Sequence, residues 1–175
     1  MYKRQVSVTD PTDTGNQPVG KQTLNPFAIQ YTAVAGIWQT VWLEPVPVSC
    51  IERSTTVTNI AESSVSVRSH ISNASDTMSV IFTCSVNGLV LTQTESPIKQ
   101  GQTETVLNIS DLHLWCPSDP FLYDLQLQLI DSSGEVVDVV DSYFGAREVT
   151  CEPDRSGHQR LFLNGEPVFH LGLLD

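Results

Sequence analysis

Four cysteines, four histidines and a surplus of carboxylates are the side chains that could do chemistry in this chain of 175 residues. Cys50, Cys84, Cys116 and Cys151 contain no C-x-x-C pair. None of His70, His113, His158 and His170 lies at zinc-ligand spacing from them. No Ser-His-Asp or Cys-His arrangement can be argued from residues so dispersed. The spacings favour reduced, half-buried thiols, with one disulfide across a sandwich as the open alternative. No metal and no cofactor is expected. The 20 acidic and 9 basic residues give a net charge of −11. The acids are scattered, which reads as a solvated surface. Such a surface repels nucleic-acid phosphates and anionic lipid, so neither nucleic acid nor membrane is an expected partner.

The elements that must position these residues read as β throughout. No window of about 11 residues sustains helical periodicity, and no apolar run approaches the roughly 20 residues of a membrane span. Met1 to Asp10 is polar and shows no signal peptide, so no compartment is assigned. The sequons Asn73-Ala74-Ser75 and Asn108-Ile109-Ser110 are no more than chance supplies and carry none either. Val46 to Ile51 and Thr55 to Ile60 are β-branched and extended. Ser64 to Ile71 and Met78 to Val86 alternate with period two, as does Gln102 to Ile109. Asn87-Gly88 between two apolar stretches is a hairpin signal, because both residues tolerate positive φ. Leu122 to Ile130, a turn at Asp131-Ser132-Ser133-Gly134, and Glu135 to Phe144 complete about seven strands. The fold class is therefore all-β, an immunoglobulin-like sandwich spanning residues 46–150. Trp115, Leu122, Leu125 and Val80 or Phe82 are expected between its sheets.

The flanks read as truncated β segments. Asp10 to Asn25 is an irregular loop rich in Thr, Pro, Gly, Asn and Gln. Gly36 to Leu43 reads as one amphipathic strand with Trp38 and Trp42 on the same face, stopped by Pro45 and Pro47. After a polar linker from Cys151 to Gly157, a second hairpin turns at Asn164-Gly165, and Phe169 to Leu174 is apolar. The first five residues resemble the translation of a transposon-end sequencing adapter, so the native sequence is expected to start near Val6.

Three segments, in order, resemble family 2 glycoside hydrolases, the β-galactosidase, β-glucuronidase and β-mannosidase relatives. Gly36-Ile37-Trp38-Gln39-Thr40-Val41-Trp42-Leu43-Glu44 is similar to the end of that family's sugar-binding jelly roll. Leu114-Trp115-Cys116-Pro117-Ser118-Asp119-Pro120-Phe121-Leu122-Tyr123 resembles a stretch of its Ig-like domain, with Cys116 in place of the usual serine. Phe144-Gly145-Ala146-Arg147-Glu148 and Leu163-Asn164-Gly165-Glu166-Pro167 resemble the strand and hairpin that lead into its catalytic barrel. Upstream, Gln17-Pro18-Val19-Gly20-Lys21-Gln22 carries Val19 where an arginine is usual.

The resemblance implies residues 6–45 as a jelly-roll remnant, 46–150 as the sandwich, and 151–175 as linker, hairpin and first barrel strand. It implies a parent enzyme that hydrolyses β-glycosides with two glutamates on later barrel strands. None of Glu44, Glu52, Glu62, Glu95, Glu104, Glu135, Glu148, Glu152 and Glu166 falls where the family puts them, so this chain alone is expected to be inactive. Asp175, Gln30 and Tyr31 are the residues expected near substrate. Trp38 and Trp42 are expected as interdomain core rather than sugar-stacking platforms, and Trp115 with Tyr123 as sandwich packing. Arg147 is expected as a salt-bridge or interface residue. Carbohydrate is the partner of the parent enzyme, and the chain itself is expected to self-associate through exposed interdomain surfaces. The competing reading is a stand-alone Ig-like binding or adhesion module, for which the hairpin at Asn164-Gly165 would have no use.

Overall fold

The computed structural model describes residues 6–169 and Gly172. It divides into two compact units, Met1–Pro45 and Val46–Asp175. In the first unit the regular structure is a short parallel pair, β1 (Gln22–Thr23) and β2 (Tyr31–Thr32). Turns surround it: the Asp10 carboxylate accepts the Thr12 amide at 2.8 Å, and the Gln22 side chain accepts the Val34 amide at 2.8 Å. The expected strand from Gly36 to Leu43 does not form. Trp38 is 88% and Trp42 75% exposed. A strand needs a neighbour for its backbone groups, and this segment has none among the described residues.

The second unit is built on seven strands, β3 (Cys50–Asn59), β4 (Ser64–Ser72), β5 (Ser79–Val86), β6 (Leu89–Pro97), β7 (Gln102–Asn108), β8 (Tyr123–Ile130) and β9 (Val136–Phe144). They form two antiparallel sheets, ordered β3-β4-β7 and β6-β5-β8-β9. The fourth strand of the series, β6, stays paired to β5 and does not cross to the β3-β4-β7 sheet, as its counterpart does in constant-type immunoglobulin domains. The alternation read from the sequence decides which face is inside. Val65, Val67, Ile71 and Leu107 from one sheet meet Val80, Phe82, Leu125, Leu127 and Leu129 from the other, all buried. Each such side chain contributes about 1.5–3 kcal/mol relative to exposure. Asn87-Gly88 closes the β5–β6 hairpin with φ of 50° and 81°, the left-handed pair a two-residue turn requires.

Three strands carry one residue too many for their partner: Glu52 in β3, Leu91 in β6 and Val137 in β9. Each of these strands lies at the edge of its sheet. The first of these bulges merges the two expected segments around Ile51 and Thr55 into the single strand β3; the stretch from Val46 to Val48 is not strand. Near it the Ile51 amide donates to the Asp138 carboxylate at 2.9 Å, tying β3 to β9 across the sandwich.

Two expected core residues lie elsewhere. Leu122 is 47% exposed, and Trp115 is half-buried at one end of the sandwich. The reason is parity: β8 starts at Tyr123, so Tyr123, Leu125, Leu127 and Leu129 face inward and Leu122 precedes the strand. Tyr123 packs as expected. Its ring stacks on Phe144 with centroids 5.2 Å apart, and its hydroxyl accepts the His113 amide at 2.7 Å. This is the tyrosine-corner arrangement of the β7–β8 crossover.

Beyond β9 a third sheet follows, β10 (Val149–Pro153), β11 (Gln159–Leu163) and β12 (Glu166–Pro167), all antiparallel. Asn164 and Gly165, with φ of 53° and 81°, close the β11–β12 hairpin as expected. No disulfide links the four cysteines.

Candidate functional site

The residues of the second and third family-like segments converge at one place, the end of the sandwich where β9 hands over to β10. Gly145 is required there by close approach. A Cβ at this position would lie 2.9 Å from Cγ and Cδ1 of Trp115. The Trp115 amide donates to the Ala146 carbonyl at 2.8 Å, which pins the tryptophan over the passing chain. The Arg147 guanidinium stacks on the same indole, 4.5 Å from the ring centroid, and the Arg147 amide donates to the Thr58 hydroxyl at 3.2 Å. Stacking on an indole face is a favourable use of a guanidinium, worth about 0.5–1 kcal/mol when exposed. Arg147, expected as a salt-bridge or interface residue, makes no salt bridge among the described residues.

The Asn164 side chain ties the third sheet to this end. Asn164 accepts the Glu148 amide on Oδ1 at 3.0 Å, and its Nδ2 donates to the Trp115 carbonyl at 3.0 Å. Its own amide donates to the Glu148 carbonyl at 2.9 Å. Glu148 in turn accepts the Ile60 amide on Oε1 at 2.7 Å, so the chain leaving β9 is bonded to the end of β3. Asparagine is a turn former at this position in any hairpin; here its amide also reads two loop residues that are 16 and 49 positions away. The sequence marks Asn164 through its turn and Arg147 through its motif. The contacts of Thr58 and Glu148 have no local signal, because their partners lie 89 and 88 residues off.

Beside the Arg147–Trp115 pair opens a cleft of about 650 Å³. Its apolar rim is Val57, Leu122, Tyr143 and Val149, all exposed. Glu148 also lines it, with its carboxylate turned to the Ile60 amide.

Several carboxylates elsewhere are engaged in structure. Glu104 pairs with Arg68 at 3.1 Å, Asp119 with His113 at 2.6 Å, and Asp141 accepts Gln126 at 2.8 Å. The Ser133 hydroxyl and the Glu135 and Ser133 amides hold the Asp131 carboxyl below its ordinary value of 3.8. Arg160 and the His158 amide do the same for Asp154. A general acid needs the opposite shift, so neither is suited to that role. The Ser118 hydroxyl lowers the Cys116 thiol. Burial, with Asp124 nearby, pushes Cys84 up to about 11. Among the described residues no group of three or more His, Cys, Asp and Glu is placed to hold a metal ion.

The residues expected near substrate are Asp175, Gln30 and Tyr31. Asp175 lies outside the described residues. Gln30 and Tyr31 belong to the first unit. The Gln30 side chain accepts the Phe27 amide at 3.1 Å, the Tyr31 amide donates to the Lys21 carbonyl at 2.8 Å, and the Lys21 ammonium lies 5.6 Å from the Tyr31 ring centroid.

Similarity to known proteins follows the same geometry. The β-galactosidase large subunit of Leuconostoc lactis is 35% identical over 83 residues, 45% of this chain and 13% of that protein. A β-galactosidase of Thermoanaerobacter pseudethanolicus is 27% identical over 152 residues, 83% of this chain and 20% of its own length. Among solved structures, the β-glucuronidase of Bifidobacterium dentium, complexed with coumarin-3-O-glucuronide, superposes with a TM-score of 0.57. It has 20% identity over 70% of this chain and 21% of its own, a likeness of fold. The chain therefore spans about a fifth or less of the length of these relatives. The model of the glycosyl hydrolases family 2 matches residues 51–147, from the start of the sandwich to the arginine on the tryptophan, and the chain belongs to that family.

Proposed function

We propose that this stretch is the scaffold of a β-glycosidase, with residues 6–45 the end of a sugar-binding jelly roll and 151–175 the lead into a catalytic barrel. The parent acts on terminal β-glycosidic bonds by double displacement: one glutamate protonates the leaving oxygen while a second, about 5–5.5 Å away, attacks the anomeric carbon. Both stand on barrel strands outside this chain, which is inert by itself. Gln30, Tyr31 and Asp175 are assigned to the surroundings of the sugar. The observation that carries the scaffold role is the Asn164 clip, with its two side-chain bonds at 3.0 Å. A free binding module gains nothing from fixing a hairpin at its end. A scaffold does, because a reacting group displaced by about 1 Å can lose about 100-fold in rate.

Two measurements test this. Purified chain at high concentration should give no turnover of aryl β-galactosides, β-glucuronides or β-mannosides. Activity that follows the chain through purification, and vanishes when one of its own glutamates becomes glutamine, sinks the reading. Residues 46–169 should also replace the matching segment of the Thermoanaerobacter β-galactosidase with kcat kept within about tenfold. A chimera that folds but is dead has the same consequence.

A further inference from the structure

We propose that the cleft beside Arg147 is a docking surface for a polypeptide segment that presents an aspartate or glutamate between apolar side chains. The proposal rests on the scaffold reading and adds the chemistry of what the scaffold grips. Three observations lead to it. Arg147 is preorganised: its guanidinium carbon sits over the Trp115 ring, 4.5 Å from the centroid, and its amide is held by Thr58 at 3.2 Å. It is also uncommitted. Arg68 and Arg160 have carboxylate partners, whereas Arg147 has none among the described residues of a chain with 20 acids. Glu148, the one acid of the cleft, is turned to the Ile60 amide at 2.7 Å.

The third observation is the rim. Tyr143 is 69% exposed, and Val57, Leu122 and Val149 stand around the arginine with it. A planar guanidinium accepts a carboxylate on two parallel N–H donors. An arginine and aromatic rings inside an apolar border is the anatomy of a protein–protein hot spot. A saccharide acid would share the carboxylate but would leave four apolar side chains against hydroxyl groups, so a polypeptide is the occupant the surface favours.

The test uses the full chain, labelled with ¹⁵N, and three probes: Ac-Leu-Glu-Leu-NH₂, Ac-Leu-Gln-Leu-NH₂ and sodium glucuronate. The glutamate peptide should shift the Trp115 indole and Arg147 Nε signals with low-millimolar affinity, at least about fivefold tighter than the glutamine peptide. Arg147→Gln should abolish that preference, and Arg147→Lys should keep only part of it, since the charge survives and the fork does not. Should Arg147→Gln fail to fold, Tyr143→Ser on the rim serves instead. It should weaken both peptides at least about threefold while the backbone spectrum stays native. Equal response to the two peptides, response to glucuronate alone, or silence from all three overturns the proposal. The scaffold reading stands or falls separately: an active chimera with a silent cleft removes the docking surface only, and a dead, folded chimera removes the scaffold.

Discussion

Tyr123 shows how one hydroxyl holds a crossover. The loop from Ile109 to Leu122 carries the chain from one sheet to the other, and its His113 amide would face a packed aromatic cluster without the Tyr123 oxygen at 2.7 Å. Tyr123→Phe keeps the ring stacked on Phe144 and strands that amide. The expected cost is about 1–2 kcal/mol, read as a lower urea midpoint at unchanged slope. An unchanged midpoint would mean that water replaces the hydroxyl. The sequence makes Tyr123 visible as packing through the segment from Leu114 to Tyr123, but not the parity around it. That segment has two prolines and no period, so nothing local says that the strand begins at Tyr123 and that Leu122 points out. Arg147 is similar: its motif is legible, its indole partner 32 positions earlier is not.

At the scale of elements, what was legible is what is local. The period-two runs of β4, β5 and β7 and the two Asn-Gly turns each depend on neighbours a few residues away, and all five form where expected. The strand around Trp38 misled because its alternation is real, yet alternation creates a strand only where another backbone is there to pair with. Bulges are equally hidden, since Glu52, Leu91 and Val137 differ from their neighbours only in what lies opposite. The third sheet offers a direct test of its attachment. Asn164→Ala removes one donor and one acceptor from the clip, together with the residue that favours the left-handed turn. The expected loss is about 1–3 kcal/mol, confined to β10–β12. Hydrogen exchange should quicken at Leu161 to Leu163 and leave Phe82 and Leu127 at the global rate. Uniform quickening would show that sheet and sandwich open together.

For the whole molecule, pH has a predictable effect on stability. Asp131 and Asp154 have folded-state values below 3.8, so their contribution is complete above about pH 4 and is lost as pH falls through those depressed values. Cys84 is raised from 9.0 to about 11, so its contribution is complete below pH 9 and is lost as pH rises towards 11. Urea midpoints should therefore fall outside these limits and rise between them as pH approaches 9, where the lowered Cys116 thiol adds its contribution, and the double variant Asp131→Asn, Asp154→Asn should shallow the acid limb. Exposed Trp38, Trp42, Leu43 and Phe169 lead to a further expectation, that the purified chain self-associates and binds a hydrophobic dye. Sedimentation as a 19.3 kDa monomer indifferent to the dye would sink it.

The placement of the three bulges bears on the fate of such associated material. An open strand edge invites another chain to continue the sheet, and a bulge discourages this by bending the edge away from any straight newcomer. In the sandwich, β3, β6 and β9 are guarded in this way, and β7 is the fourth edge, regular from Gln102 to Asn108. Growth of an ordered cross-β aggregate thus has one entry point on the sandwich. A single proline or inward charge placed along β7 would be enough to close it, leaving any remaining clumping disordered and reversible.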